Sequence, residues 1–185
     1  MDYRRLKIIF IIILLSTACD WFNPREAEKP SEGESEWQEP ISPSIVISNL
    51  ERAFEGGNIY NYSSSLSRDF IFYGDPADSP YVEPGSFNDW DYDVEKEVAT
   101  MIFNTFVRIN LYFEDSLKDS TGTYATFYEI YSMNLESLDS TVIAVGLAQF
   151  QLALDSTNLW SIIEWRDFRI DSIYIDWGIL KANTR

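Results

Sequence analysis

Val107-Arg108-Ile109-Asn110-Leu111-Tyr112-Phe113-Glu114 changes side at every residue. Val107, Ile109, Leu111 and Phe113 fall on one face and Arg108, Asn110, Tyr112 and Glu114 on the other, the period of a half-buried strand. Three Asp-Ser-Thr triplets follow, at 119–121, 139–141 and 155–157, and they separate runs rich in Tyr, Phe, Ile, Val and Leu. Asp and Ser side chains bond the local backbone and so favour turns. The pattern predicts four strands in a meander, over 106–117, 123–138, 142–154 and 159–171.

Upstream the period changes. Pro43-Ser44 opens a helix whose Val46, Leu50, Ala53 and Phe54 form an i, i+4, i+7, i+8 stripe, and Gly56-Gly57 ends it. Ile59, Tyr62 and Leu66 predict a second short helix. Phe70–Tyr73 reads as a strand stopped by Gly74-Asp75-Pro76, and a long loop with Pro80, Pro84 and Gly85 follows. Asp93 is placed to cap a third helix carrying Val94, Val98, Met101 and Ile102. Helices first and antiparallel strands after predict an α+β domain over 44–185, with N-terminal helices packed on one face of a curved antiparallel sheet. About 140 residues suffice for one core, and aromatics make up 16% of the chain, so few residues can bury much area.

This order of elements, with Ala53-Phe54-Glu55-Gly56-Gly57-Asn58, Leu66-Ser67-Arg68-Asp69-Phe70 and Trp160-Ser161-Ile162-Ile163-Glu164-Trp165-Arg166-Asp167, is similar to the nuclear transport factor 2-like (cystatin-like, polyketide cyclase-like) fold over about residues 44–177. The resemblance implies a cone between helices and sheet. That fold hosts enzymes, binders and interaction modules, so it leaves function open.

The N-terminus is a separate matter. Arg4, Arg5 and Lys7 precede eight apolar residues, Ile8 to Leu15, and small residues stand at Ser16, Thr17 and Ala18. Charged start, short apolar run and small-residue site predict a secretory signal over 1–18. Eight helical residues rise about 12 Å, far short of the roughly 30 Å hydrocarbon core. Leu15-Ser16-Thr17-Ala18-Cys19 resembles the lipobox of bacterial lipoproteins, in which the cysteine receives a diacylglycerol. The Leu that usually stands three residues before the cysteine is Ser16 here, with Leu15 one step further out. The resemblance implies a lipid anchor at Cys19, the only cysteine, and a bacterial cell envelope address, at the outer membrane or the outer face of the inner membrane. Asp20 resembles the inner-membrane retention signal of some lipoproteins. Capping Cys19 removes thiolate and disulfide chemistry. Residues 19–43 hold four prolines and six glutamates and are expected to be a disordered acidic tether, with Trp21 and Phe22 at the membrane interface.

Charge and composition exclude several classes. Fourteen basic and 30 acidic residues give net −16. Without residues 1–18, which carry Asp2 and three basic residues, 29 acidic and 11 basic residues remain, net −18. Such a body repels nucleic acid and anionic lipid, so attachment to the bilayer is expected through the acyl chains alone. There is no histidine, which removes the usual general base and the commonest metal ligand. No glycine-rich phosphate loop is present. Asp89-Trp90-Asp91-Tyr92-Asp93 resembles the start of a calcium loop, but Val94 holds the glycine place and Thr100 the glutamate place. Neither metal nor cofactor is expected.

What remains is the cone. A tight turn at Ser156-Thr157 would set Ala148 opposite Trp165 and Gly146 opposite Asp167. A two-residue loop at Asp139-Ser140 would set Tyr131 opposite Ala148 and Glu129 opposite Phe150. One face then collects Glu129, Tyr131, Ala144, Gly146, Ala148, Phe150, Trp165 and Asp167. Small residues in mid-strand leave room for a helix or a ligand. Tyr131 with Glu129 or Asp167 resembles the ketosteroid isomerase pairing of a proton-moving carboxylate and an oxyanion-steadying Tyr, and Tyr131, Ala148 and Trp165 would line a ligand pocket. The other face would carry Gln149, Gln151, Glu164 and Arg166 between Val145, Leu147, Ile162 and Phe168, a mixture suited to a homodimer or an envelope protein partner. Three readings stay open: a non-catalytic binding or assembly module at the envelope, a binder of small apolar ligands, and an isomerase, dehydratase or cyclase.

Overall fold

A computed structural model describes residues 37–185. The expected signal, Cys19, Asp20, Trp21, Phe22 and the tether up to residue 36 lie outside the described residues.

Helix α1 spans Pro43–Glu55. The Ser42 hydroxyl accepts from the Ile45 amide at 3.4 Å and Pro43 stands at the first helical position, where its missing N–H costs nothing. Its stripe of Val46, Leu50, Ala53 and Phe54 is fully buried, and Gly57 (φ 60°) turns the chain out. Helix α2, Ile59–Ser64, stops short of Leu66, which instead begins strand β1, Leu66–Tyr73. After a 3-10 turn at Pro76–Asp78, helix α3 spans Tyr92–Thr105. Its cap is Asp91, whose carboxyl accepts from the amides of Asp93 and Val94 at 3.0 Å, two residues before the expected Asp93.

The meander is present: β2 Arg108–Thr121, β3 Tyr124–Glu136, β4 Thr141–Leu154 and β5 Trp160–Phe168. The curved, unclosed sheet runs β1-β5-β4-β3-β2, with β1 parallel to β5 and every other pair antiparallel. The turns differ from those expected. Ser137 closes a four-residue loop, its hydroxyl accepting from the Asp139 and Ser140 amides, so Tyr131 faces Gly146 and Glu129 faces Ala148. Asp155 organises a five-residue loop by accepting from the Thr157 and Leu159 amides at 2.8 and 3.0 Å, and this loop together with the bulge between Gln151 and Leu152 sets Phe150 opposite Trp165 and Ala148 opposite Asp167. Both registers sit two residues from the expected ones. An even slip keeps every side chain on its face, and the expected inner set is intact. One member of the outer set is corrected: the pairing slips between Gln151 and Leu152, a bulge that turns Ile162 into the core, where it is fully buried.

Two further features position the site. Residues just ahead of α1 already belong to the fold: the Trp160 amide donates to the Pro40 carbonyl at 2.8 Å, and Asn49 exchanges hydrogen bonds with the Gln38 backbone at 3.1 and 2.6 Å. The chain also ends in a helix that the strand reading through residue 171 leaves out. This α4, Trp177–Thr184, is capped by Asp176 and lies against α3, β4 and β5. Among the described residues no helix is long and apolar enough to cross a membrane.

Candidate functional site

Helices α1, α3 and α4 cover one face of the sheet and form the cone. Its wall from the sheet is Glu129, Tyr131, Ala148, Phe150, Trp165 and Asp167, each at most 1% exposed. The space they frame is occupied by Trp177, the first residue of α4, which is itself fully buried. Its ring centre lies 4.4 Å from Trp165, 4.6 Å from Phe54 and 5.4 Å from Tyr131, all edge-to-face, the arrangement aromatic quadrupoles favour. Phe150 packs on Trp165 at 4.8 Å. The room left by Gly146 is filled as well, since a Cβ there would stand 2.1 Å from the Tyr131 hydroxyl.

Tyr131 and Asp167 do meet. The Tyr131 hydroxyl donates to Asp167 Oδ2 at 3.0 Å and accepts from the Trp177 amide at 2.6 Å. Asp167 Oδ2 also accepts from the Gly178 amide at 2.7 Å. The pair therefore satisfies the first free amides of α4, groups that every helix N-terminus leaves without an intrahelical partner. Burial, and then the neighbouring Asp167 charge, hold the Tyr131 phenol well above its ordinary range. Burial and the Asp176 charge raise the Asp167 carboxyl, while the Gly178 amide opposes them. Glu129 lies on the same face opposite Ala148, and its Oε1 sits 3.8 Å from Lys118 Nζ. Ala148 and Trp165 are walls packed against neighbours. An oxyanion would have to displace Asp167 Oδ2 as the acceptor of the Tyr131 proton, and a substrate would have to displace the Trp177 ring.

A second polar group lies deeper. Lys181, one turn along α4, is buried with its Nζ 2.8 Å from Glu95 Oε1 on α3. Glu95 also accepts from the Tyr62 hydroxyl at 2.5 Å and from Trp90 Nε1 at 2.7 Å. The ammonium is 3.4 Å from the Trp165 ring centre and 3.9 Å from that of Phe72, so it is held by a carboxylate and by π faces. Burial lowers its pKa, against the opposing pull of Glu95.

Trp177, Lys181, Glu95, Asp78 and Asp176 were not singled out by sequence reasoning. One signal was available: Asp176 before Trp-Gly-Ile-Leu, with Lys181 in the last turn, is a capped helix with a cation at its C-terminal end. Among the described residues no group of three or more His, Cys, Asp or Glu could hold a metal ion. Surface grooves lie elsewhere. One of about 460 Å³ runs along Trp37, Pro40, Leu66 and Trp160, and one of about 550 Å³ passes over the β2–β3 edge at Asn110, Tyr112 and Ser132.

The uncovered sheet face carries Tyr112 (64% exposed), Ile143 and Ile71 (44% each) and Tyr73 (38%). Towards its β1 edge, on β5, Arg166 Nε donates to Glu164 Oε1 at 2.7 Å, and the Arg166 guanidinium stacks 4.3 Å over Tyr73.

No family model matches the sequence, and no curated protein matches it. Solved structures do resemble the fold. A ketosteroid isomerase-like protein from Erwinia carotovora atroseptica SCRI1043 is 15% identical with a TM-score of 0.55, over 70% of this chain and 94% of that one. A nuclear transport factor 2-like superfamily protein from Salmonella enterica serovar Typhimurium is 12% identical with a TM-score of 0.55, over 72% and 92%. A protein of unknown function from Mycobacterium tuberculosis is 14% identical with a TM-score of 0.55, over 70% of each. The domain therefore has the nuclear transport factor 2-like fold.

Proposed function

We propose that this chain is a non-catalytic assembly module of the bacterial cell envelope, tethered through an acylated Cys19 and pairing with a second copy through its uncovered sheet face. The observation that carries this reading is Trp177. A catalytic or ligand-binding cone needs an open interior, and here a ring of the chain itself fills it, while Tyr131 and Asp167 are engaged in capping α4. Chemistry on this fold belongs to the site, not the fold.

The partner follows from charge. The chain is net −16, so two copies repel over most of their surface. On β5, one strand in from the β1 edge of the uncovered face, Glu164 and Arg166 stand side by side and are of opposite sign. A two-fold axis there would set each Glu164 near the other copy's Arg166, as an isologous interface requires. Five strands spaced about 4.8 Å and eight residues long cover roughly 600 Å² in projection, close to the roughly 800 Å² per partner of a standard interface. Sedimentation of the detergent-solubilised full chain should give a dimer, and Ile143→Asp should give a monomer with an unchanged circular dichroism spectrum. A wild-type monomer at micromolar concentration ends the pairing. Palmitate labelling that persists in Cys19→Ser, or is absent from the wild type, ends the anchor.

A further inference from the structure

Three carboxyl groups converge where α4 begins. A Cβ placed on Gly178 would lie 3.4 Å from an oxygen of Asp78, of Asp167 and of Asp176, and all three residues are at most 1% exposed. Two have amide donors. Asp176 Oδ1 accepts from the Ile179 amide at 2.7 Å, and Asp167 Oδ2 accepts from Gly178 and Tyr131. Asp78 comes from the 3-10 turn after β1, and neither of its oxygens meets a donor among the described residues. A buried carboxylate without a donor is strongly disfavoured. Two buried carboxyls in contact are stable only if one proton lies between them.

We propose that Asp78 and Asp176 share a proton that latches the β1–α3 loop to the start of the C-terminal helix, so that the plug in the cone is held more weakly once that proton is lost. The charged groups around the pair are few. Asp75 accepts from the Arg169 amide at 3.0 Å. The Arg169 guanidinium stacks 4.3 Å over Tyr81, with its Nε on the Asp171 carbonyl. Asp167 is the third carboxyl, and Lys181 beyond it is paired with Glu95. Burial, Asp176 and Asp75 push Asp78 up to about 7, and Arg169 opposes them weakly. A carboxyl raised in the folded state binds its proton there more tightly than in the unfolded chain. Its contribution is whole below about pH 4 and is lost as pH climbs towards 7. An Asn at 78 would make the same contact without titrating, so the acid pair adds a response to acidity that a merely structural contact lacks.

The test is hydrogen exchange of the full chain, read on amides 177–181 and corrected for intrinsic rates, at about pH 5 and about pH 8. Protection should fall by about tenfold or more at the higher pH, and in Asp78→Asn most of that fall should be lost, the remainder belonging to the raised Asp167 carboxyl. A carbon-13 carboxyl titration of the unaltered protein, which needs no variant, should show one aspartate titrating near neutrality. Flat protection in the wild type, an unchanged pH dependence in Asp78→Asn, or no high-titrating aspartate overturns the latch. Restoration of protection at about pH 8 by millimolar calcium or magnesium also overturns it, because the carboxyls would then be holding a cation and not a proton.

Discussion

Trp177→Ala removes the side chain that fills the cone, and its cost can be worked from the structure. Trp177 is fully buried and touches Phe54, Tyr131 and Trp165. About 200 Å² of lost apolar burial at about 25 cal/mol per Å² is on the order of 5 kcal/mol, the upper end of the ~3–5 kcal/mol found for buried Trp→Ala changes. The amide of residue 177 still reaches the Tyr131 hydroxyl in the variant, so the loss belongs to packing and not to capping. Because Tyr131, Phe54, Phe150 and Trp165 come from four different elements, the walls cannot collapse inward without moving the sheet. A dry cavity should remain, of the kind that binds small aromatics. Urea unfolding should report a loss of about 4–5 kcal/mol with an unchanged m-value, and millimolar indole should recover part of it by mass action. Wild type should show no response to indole. A loss under about 1 kcal/mol, or equal stabilisation of the wild type by indole, would mean that the cone is not filled as described, and the non-catalytic reading would fall with it.

Other residues give sharper tests of particular contacts. Lys181→Met leaves Glu95 buried without its cation and should cost about 3–5 kcal/mol, whereas Lys181→Met with Glu95→Gln should recover most of that, since the neutral amide can accept from Trp90 through its oxygen and donate to the Tyr62 hydroxyl through its nitrogen. The comparison is a double-mutant cycle read by thermal or urea unfolding, and additivity of the two changes would refute the pairing. Gly146→Ala would ordinarily favour a strand, but its Cβ would meet the Tyr131 hydroxyl and should destabilise by about 1–3 kcal/mol. A melting temperature at or above wild type would show that Tyr131 does not lie across Gly146.

The inner face of the sheet was legible in the sequence because strand periodicity survives an even slip. Tyr131 and Ala148 share a face whether the first loop holds two residues or four, and Trp165 and Asp167 join them because the bulge between Gln151 and Leu152 makes even the odd slip of the five-residue second loop. What periodicity cannot carry is anything that changes parity or joins distant segments. The bulge that turns Ile162 inward is one such change. The parallel pairing of β1 with β5 is another, because its partners, Phe72 and Trp165, stand far apart in the chain and neither records the other locally. Helix α4 was hidden for a different reason. At eight residues it is too short for an amphipathic period to declare itself, so its face is set by the cone it enters, and only Asp176 and Lys181 mark its ends.

A tyrosine beside carboxylates in an apolar cone has two physical readings that the residues alone do not separate, since a helix N-terminus and a developing oxyanion impose opposite demands. An oxyanion needs donors and a helix N-terminus needs acceptors. Tyr131 can do either, and the choice is settled by what else reaches it. Here it receives an amide, that of Trp177, and gives its proton to Asp167, which receives a second amide. The polar groups of the cone are therefore complementary to α4 itself. Glu95 with Lys181 repeats the pattern one turn on. If so, a chain ending at Ile173 should strand Tyr131, Asp167 and Glu95 in an apolar space and lose Trp177 as well. Buried groups left without partners cost about 1–3 kcal/mol each. Together with about 4–5 kcal/mol for the ring this approaches the whole stability of a domain, about 5–15 kcal/mol. The shortened chain should fail to unfold cooperatively by circular dichroism. A melting transition within a few degrees of the full chain would instead mean that the cone holds its shape without the helix, and that Tyr131 and Asp167 are arranged for something other than α4.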